Sequence, residues 1–157
     1  MTLDDLQNYL STLPDLVMND VPDIVAETAT EYFKETFTEK AFAAKPWAPL
    51  KKPKNSGSLL VESGNLVNSI RPAYVSADKV IISAGNDKTP YAQTHNEGYT
   101  GPVVIPAHQR TSKKENVVNV GAHTINQKIP QRQYMGKSID LTARIKDRIN
   151  NHLNNIL

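Results

Sequence analysis

The chain has no cysteine. Disulfide staples, thiol nucleophiles and cysteine-ligated zinc are therefore excluded, and the absence fits a reducing compartment. Aromatic residues are scarce, at 6% of 157 positions, which predicts a core resting on Val, Ile, Leu and Ala. No apolar run approaches the ~20 residues that cross a bilayer. The acidic opening Met1-Thr2-Leu3-Asp4-Asp5 lacks the basic start and apolar stretch of a secretory leader, so the expectation is a soluble protein made in the cytoplasm, with no membrane contact.

Catalytic signatures are missing too. There is no GxxxxGK[ST] loop, no GxGxxG turn, no GxSxG elbow and no HExxH pair. The acids cluster in the N-terminal part, on helix surfaces. The expectation is a protein that is not an enzyme and uses no cofactor and no metal. Three histidines, His95, His108 and His123, lie in one central block, and His108 and His123 each follow an alanine. Their expected role is packing or hydrogen bonding across paired strands.

What is present is an ordinary soluble composition, with 22% charged residues and a net charge of +2. The length predicts a single domain over 1–157. Leu3, Leu6, Leu10 and Leu13 recur at helical spacing, with Thr2 as a cap, and Pro14 closes the segment. A second helix is expected over about 21–43, with Val25, Ala29, Phe33, Phe37 and Ala41 on one stripe. Residues 1–44 thus read as N-terminal helices. Residues 45–58 hold three prolines and four lysines and read as a loop or arm, with Trp47 and Leu50 pinning it to the core.

The region 59–136 reads as the sheet region. Leu59, Leu66 and Ile70 predict two short helical turns. Arg71–Ser76 and Lys79–Ala84 form a hairpin about Ala77-Asp78. Tyr91–Asn96 is a short helix that Gly98 stops. Two similar phrases, Val103-Val104-Ile105-Pro106-Ala107-His108 and Val117-Val118-Asn119-Val120-Gly121-Ala122-His123, predict the arms of a second hairpin over 103–125, with Lys113-Lys114 at its tip. From 137 to 157, Leu141, Ile145, Ile149, Leu153 and Ile156 mark a C-terminal helix. The fold class is α+β: an antiparallel sheet with a long projecting hairpin, packed by N-terminal helices and a C-terminal helix.

An arm, a long hairpin and no catalytic constellation point to an assembly subunit, since exposed strand edges extend across subunits and head-to-tail contacts close rings. The alternative is a nucleic-acid-binding accessory protein using the basic loops at Lys51, Lys52, Lys54, Arg110, Lys113 and Lys114. It lacks the interleaved aromatics that stack bases. A small hydrolase with an unrecognised site is the third reading.

Four phrases in order carry a family resemblance: Lys45-Pro46-Trp47-Ala48-Pro49-Leu50, the segment Leu60 to Ile70, Tyr91-Ala92-Gln93-Thr94-His95-Asn96-Glu97-Gly98, and Ile129-Pro130-Gln131-Arg132-Gln133-Tyr134-Met135-Gly136. Over about residues 30–157 the chain resembles the tailed-phage virion morphogenesis family, the phage Mu tail-completion-like group, similar to siphophage tail-completion and neck proteins. It departs at Gln131 and Gln133, where alanine and proline are more usual, and at Tyr134-Met135, where Phe-Leu is commoner. The resemblance implies a structural subunit of the tail or head–tail junction, assembled in the bacterial host. It would act as a ring, often a hexamer, contacting copies of itself and tail-tube or neck proteins. A chain that is monomeric until it meets the tail fits the same reading. Candidate contacts are Trp47, Lys51, Lys52, Arg110, Lys113, Lys114 and Arg132. Candidate structural anchors are Tyr91, His95, Gly98, Pro130, Tyr134 and Gly136. Arg132 is expected to fix the last helix through a salt bridge or cap, or to bond a neighbouring subunit.

Overall fold

A computed structural model describes residues 3–52, 55–112 and 115–156. Lys54, Lys113 and Lys114 fall outside this set, as do the Thr2 cap and the side chains of the Leu3, Leu6, Leu10 and Leu13 stripe.

The chain opens with α1, a single helix over Leu3–Glu39 that carries Pro14 and Pro22 inside it. This corrects the expectation of two N-terminal helices. An interior proline removes one helical hydrogen bond and costs about 3 kcal/mol in isolation. Around Pro22 that cost is met by packing: Pro22 is buried, and α4 (Ile139–Ile156) runs antiparallel alongside, with His152 bonded to Asp20. Buried threonines within α1 satisfy their hydroxyls on the preceding turn, Thr28 on Ile24 and Thr36 on Phe33.

The helix stops at Glu39, short of the expected residue 43, because Lys40 turns left-handed (φ 55°). A two-residue hairpin follows, β1 (Ala41–Phe42) against β2 (Lys45–Pro46). Its turn residues Ala43 and Ala44 both sit at positive φ. The 59–70 segment forms one short helix, α2 (Asn65–Asn68), in place of two turns. β3 (Arg71–Val75) and β4 (Val80–Ser83) then pair around Ala77-Asp78 as expected, with a bulge between Pro72 and Tyr74. α3 spans Ala92–Glu97 and ends at Gly98.

Next comes a ribbon in two ladders. β5 (Tyr99–Ile105) pairs with β8 (His123–Ile129), and β6 (His108–Thr111) pairs with β7 (Val117–Val120). The strands therefore start and end outside the expected 103–125 limits. Among the described residues there is no single continuous sheet: the strands form four two-stranded ladders. The α+β class holds, with α1 packed on β3 and β4 and α4 packed on α1.

The core corrects the expectation from composition. Tyr32, Phe33, Phe37, Phe42, Trp47 and Tyr134 are all buried in one cluster with Leu59, Leu66, Ile70 and Leu141. All three phenylalanines and the only tryptophan are in it. Edge-on contacts join Tyr32 to Phe42 and Phe37 to Trp47, the latter with centroids 5.4 Å apart. Few aromatics suffice because each buries a large area. The valines lie largely elsewhere: Val104, Val117 and Val118 are exposed on the ribbon.

Candidate assembly surface

Residues 129–136 form a hub between α3, the 45–52 loop and α4. The Asn96 side-chain oxygen accepts from the backbone N–H groups of Tyr134 (2.9 Å) and Met135 (3.0 Å). Gln131 Nε2 donates to the Asn96 carbonyl, and the Arg132 N–H donates to the His95 carbonyl at 2.8 Å. The Tyr134 hydroxyl donates to Ala92 at 2.8 Å. Burial pushes its pKa up to about 12. Gly98 closes α3 with φ +78°, and a Cβ there would sit 3.0 Å from Gln131 N. A side chain there would be strained by the positive φ and crowd the Gln131 backbone. Gly98 and Tyr134, expected as structural anchors, both lie at these contacts.

On the other side, Trp47 Nε1 donates to the Gln133 carbonyl at 2.6 Å. Arg132 Nε donates to Ala48 at 2.9 Å and Nη2 to Pro49 at 3.3 Å. Arg132 therefore ties down the loop, and among the described residues it forms no salt bridge to the last helix. Trp47 and Arg132 are both buried within the chain. Leu50, expected to pin the loop, is exposed. Of the loop's two large apolar residues, Trp47 does that work.

Tyr91 is exposed and touches His95 edge-on at 5.6 Å. It covers the imidazole and does not lock α3 to a sheet. Burial, and then the charge of Arg132, lower the His95 pKa below its ordinary value. Burial likewise lowers that of Arg132. Pro130 is half-buried directly after β8, and Gly136 is exposed just before α4. The start of α4 is capped by Ser138, whose hydroxyl accepts from Leu141 N and bonds the Tyr32 hydroxyl at 2.7 Å.

The hub holds the base of the ribbon, Tyr99 paired with Ile129. Along β5, Gly101, Val103 and Ile105 are half-buried, while Thr100, Pro102 and Val104 face solvent. The ladder is interrupted on both strands at the same level, at Pro106-Ala107 and Gly121-Ala122. Pro106 has no N–H to give. There His108 and His123 each donate Nδ1–H to the carbonyl two residues back at 3.0 Å, and their rings lie 6.5 Å apart. The two Ala-His phrases are thus brought together. Arg110 is exposed on β6 opposite Val118, and Lys51 and Lys52 are exposed in the loop. Val104 is 71% and Val117 66% exposed, unusually open for β-branched apolar residues.

Sequence reasoning missed Asn96, Gln131 and Ser138. Asn96 lies inside a phrase already singled out, but nothing in one sequence shows that its amide reaches 38 residues onward. Among the described residues, no helix is long and apolar enough to cross a membrane, and no group of three or more histidines and acids is placed to hold a metal ion.

These contacts define a small α+β protein with a ribbon held at its base by a polar hub. The chain belongs to the phage virion morphogenesis family, whose model matches residues 3–154. The match takes in α1, beyond the region where the motifs carry the resemblance. No curated protein and no solved structure matches the chain significantly. Membership gives the chain a structural role in phage morphogenesis and associates it with the virion.

Proposed function

We propose that the chain completes or terminates the phage tail, or the head–tail connection, as a subunit of a ring. It acts without catalysis or cofactor, through contacts with copies of itself and with tail-tube or neck proteins. The observation that carries this reading is the ribbon: open edges, exposed Val104, Val117 and Ile125, and a base held by the Asn96 and Gly98 contacts. Such an edge pairs readily with a neighbouring strand. Arg110 adds exposed positive charge on the ribbon, and Lys51 and Lys52 add it on the loop.

The test replaces residues 106–122 with Asn-Gly, which closes β5 onto β8 through a two-residue turn. The trimmed chain should stay folded by circular dichroism. In negative-stain images of tails assembled with it, the terminal ring should be missing. Complete tails built with the trimmed chain contradict the proposal. The nucleic-acid alternative predicts instead salt-sensitive DNA binding by the monomer.

A further inference from the structure

Beside the hub lies a cavity of about 330 Å³ that no contact within the chain accounts for. Leu50, Leu59, Leu60 and Leu66 make its apolar side. Arg132 and His95 lie on its polar side, with Glu62, Ser63, Asn65 and Tyr91 at the rest of its lining. The composition fits a ligand site, an apolar hollow with few converging polar groups.

Arg132 is only 7% exposed, yet among the described residues it has no carboxylate partner. Two of its nitrogens bond the Ala48 and Pro49 carbonyls, and Nη1 has no partner among the described residues. A buried guanidinium is normally paired, because an unpaired buried charge is costly. His95 repeats the pattern, with Nδ1 buried and without a partner. Buried unpaired N–H groups are rarer than buried bare acceptors, so the proton belongs on Nε2, the nitrogen left to donate outward. Among the described residues no side-chain acceptor bonds Arg132 or the His95 ring, and two donors beside an apolar wall define the complement. Glu62 also lines the cavity, but it is exposed and forms no ion pair with Arg132.

From this arrangement we infer that the cavity receives a carboxylate on a short aliphatic stem, held by Arg132 and His95, with the stem against the leucines. The group that presents this in a particle is the glutamate side chain of a neighbouring protein. That source rests on the assembly reading above; the carboxylate chemistry does not.

The probe is sodium butyrate, titrated into the full chain at constant ionic strength. NMR follows the Arg132 Nε–H and the His95 ring. Butyramide has the same shape without the charge and should bind at least about tenfold more weakly. Arg132 substitutions would also release the loop, so the mutational arm uses Ser63, an exposed residue that lines the cavity. Ser63→Glu supplies a tethered carboxylate and should abolish the butyrate shifts while the core resonances of Tyr32 and Leu141 stay put. Equal affinity for butyrate and butyramide, or undiminished butyrate binding by S63E, overturns the inference. In assembled tails S63E should lower occupancy. Full occupancy despite lost butyrate binding overturns the glutamate source and leaves the carboxylate site standing. Failure of the ribbon test, by contrast, touches only the assembly reading.

Discussion

The side-chain oxygen of Asn96 accepts the backbone N–H of Tyr134 at 2.9 Å and so joins the end of α3 to the turn that leads into α4. The same oxygen also takes the Met135 N–H. Asn96→Ala leaves both donors without a partner, at a cost of about 2–4 kcal/mol. Asn96→Asp keeps the acceptor and should recover most of it. Urea denaturation reads both. A change under about 0.5 kcal/mol in N96A, no more than an ordinary surface substitution, would remove the hub from the account.

Tyr134 makes the protein sensitive to alkali. Its hydroxyl is buried on the Ala92 carbonyl and its pKa rises from 10.0 to about 12. The folded state therefore holds this proton more tightly than the unfolded chain does. Its contribution is complete below the unfolded value and is lost as pH climbs from 10.0 towards about 12, a fall on the order of 3 kcal/mol. Tyr134→Phe should cost about 1 kcal/mol at pH 7 and lose less stability than wild type across that alkaline window. Melting temperatures of both proteins from pH 9 to 12 check it, and parallel curves would contradict it.

The Ala43-Ala44 turn is strained. Both residues have positive φ, at 47° and 61°. Two-residue hairpin turns of this kind favour Asn-Gly, and a left-handed alanine costs roughly 1–2 kcal/mol. The double variant A43N/A44G should gain about 1 kcal/mol and raise the melting point by about 2–4 °C. A lower melting point would show that the alanines make contacts worth more than the strain.

Arg132 fixes the loop, so Arg132→Ala should lower stability by about 1–3 kcal/mol and expose residues 48–52. Limited trypsin digestion should cut faster after Lys51 than in wild type, with the rest of the pattern unchanged apart from the site lost at residue 132. Unchanged stability and unchanged cleavage would contradict the role the geometry gives this residue.

Local signals were legible where one short stretch decides the outcome. Ala77-Asp78 marked a turn, Gly98 a helix stop, and the Leu141–Ile156 spacing a helix. Interactions across many residues were not. Pro14 read as a helix end because a proline's cost is local, whereas the packing that offsets such a cost at Pro22 comes from distant residues. The ion pairs of Arg144 with Glu35 and Arg148 with Glu31 set the helices in register. Each residue alone reads only as surface charge. The scarcity of aromatics misled for a similar reason, since composition counts residues and does not say where they gather. For the site, the phrases around Tyr91 and Ile129 were visible as a frame. That Arg132 turns inward to backbone carbonyls, beside a cavity, was not.

The ribbon as the contact between subunits is the central claim, and charge on its exposed face tests it most directly. Val104→Glu with Val117→Glu changes two open side chains and should leave the melting temperature within about 2 °C, as surface changes do. Cryo-electron microscopy of tails assembled with this variant should show the ring position empty, against full occupancy with wild type. A ring of normal occupancy and shape would contradict the account.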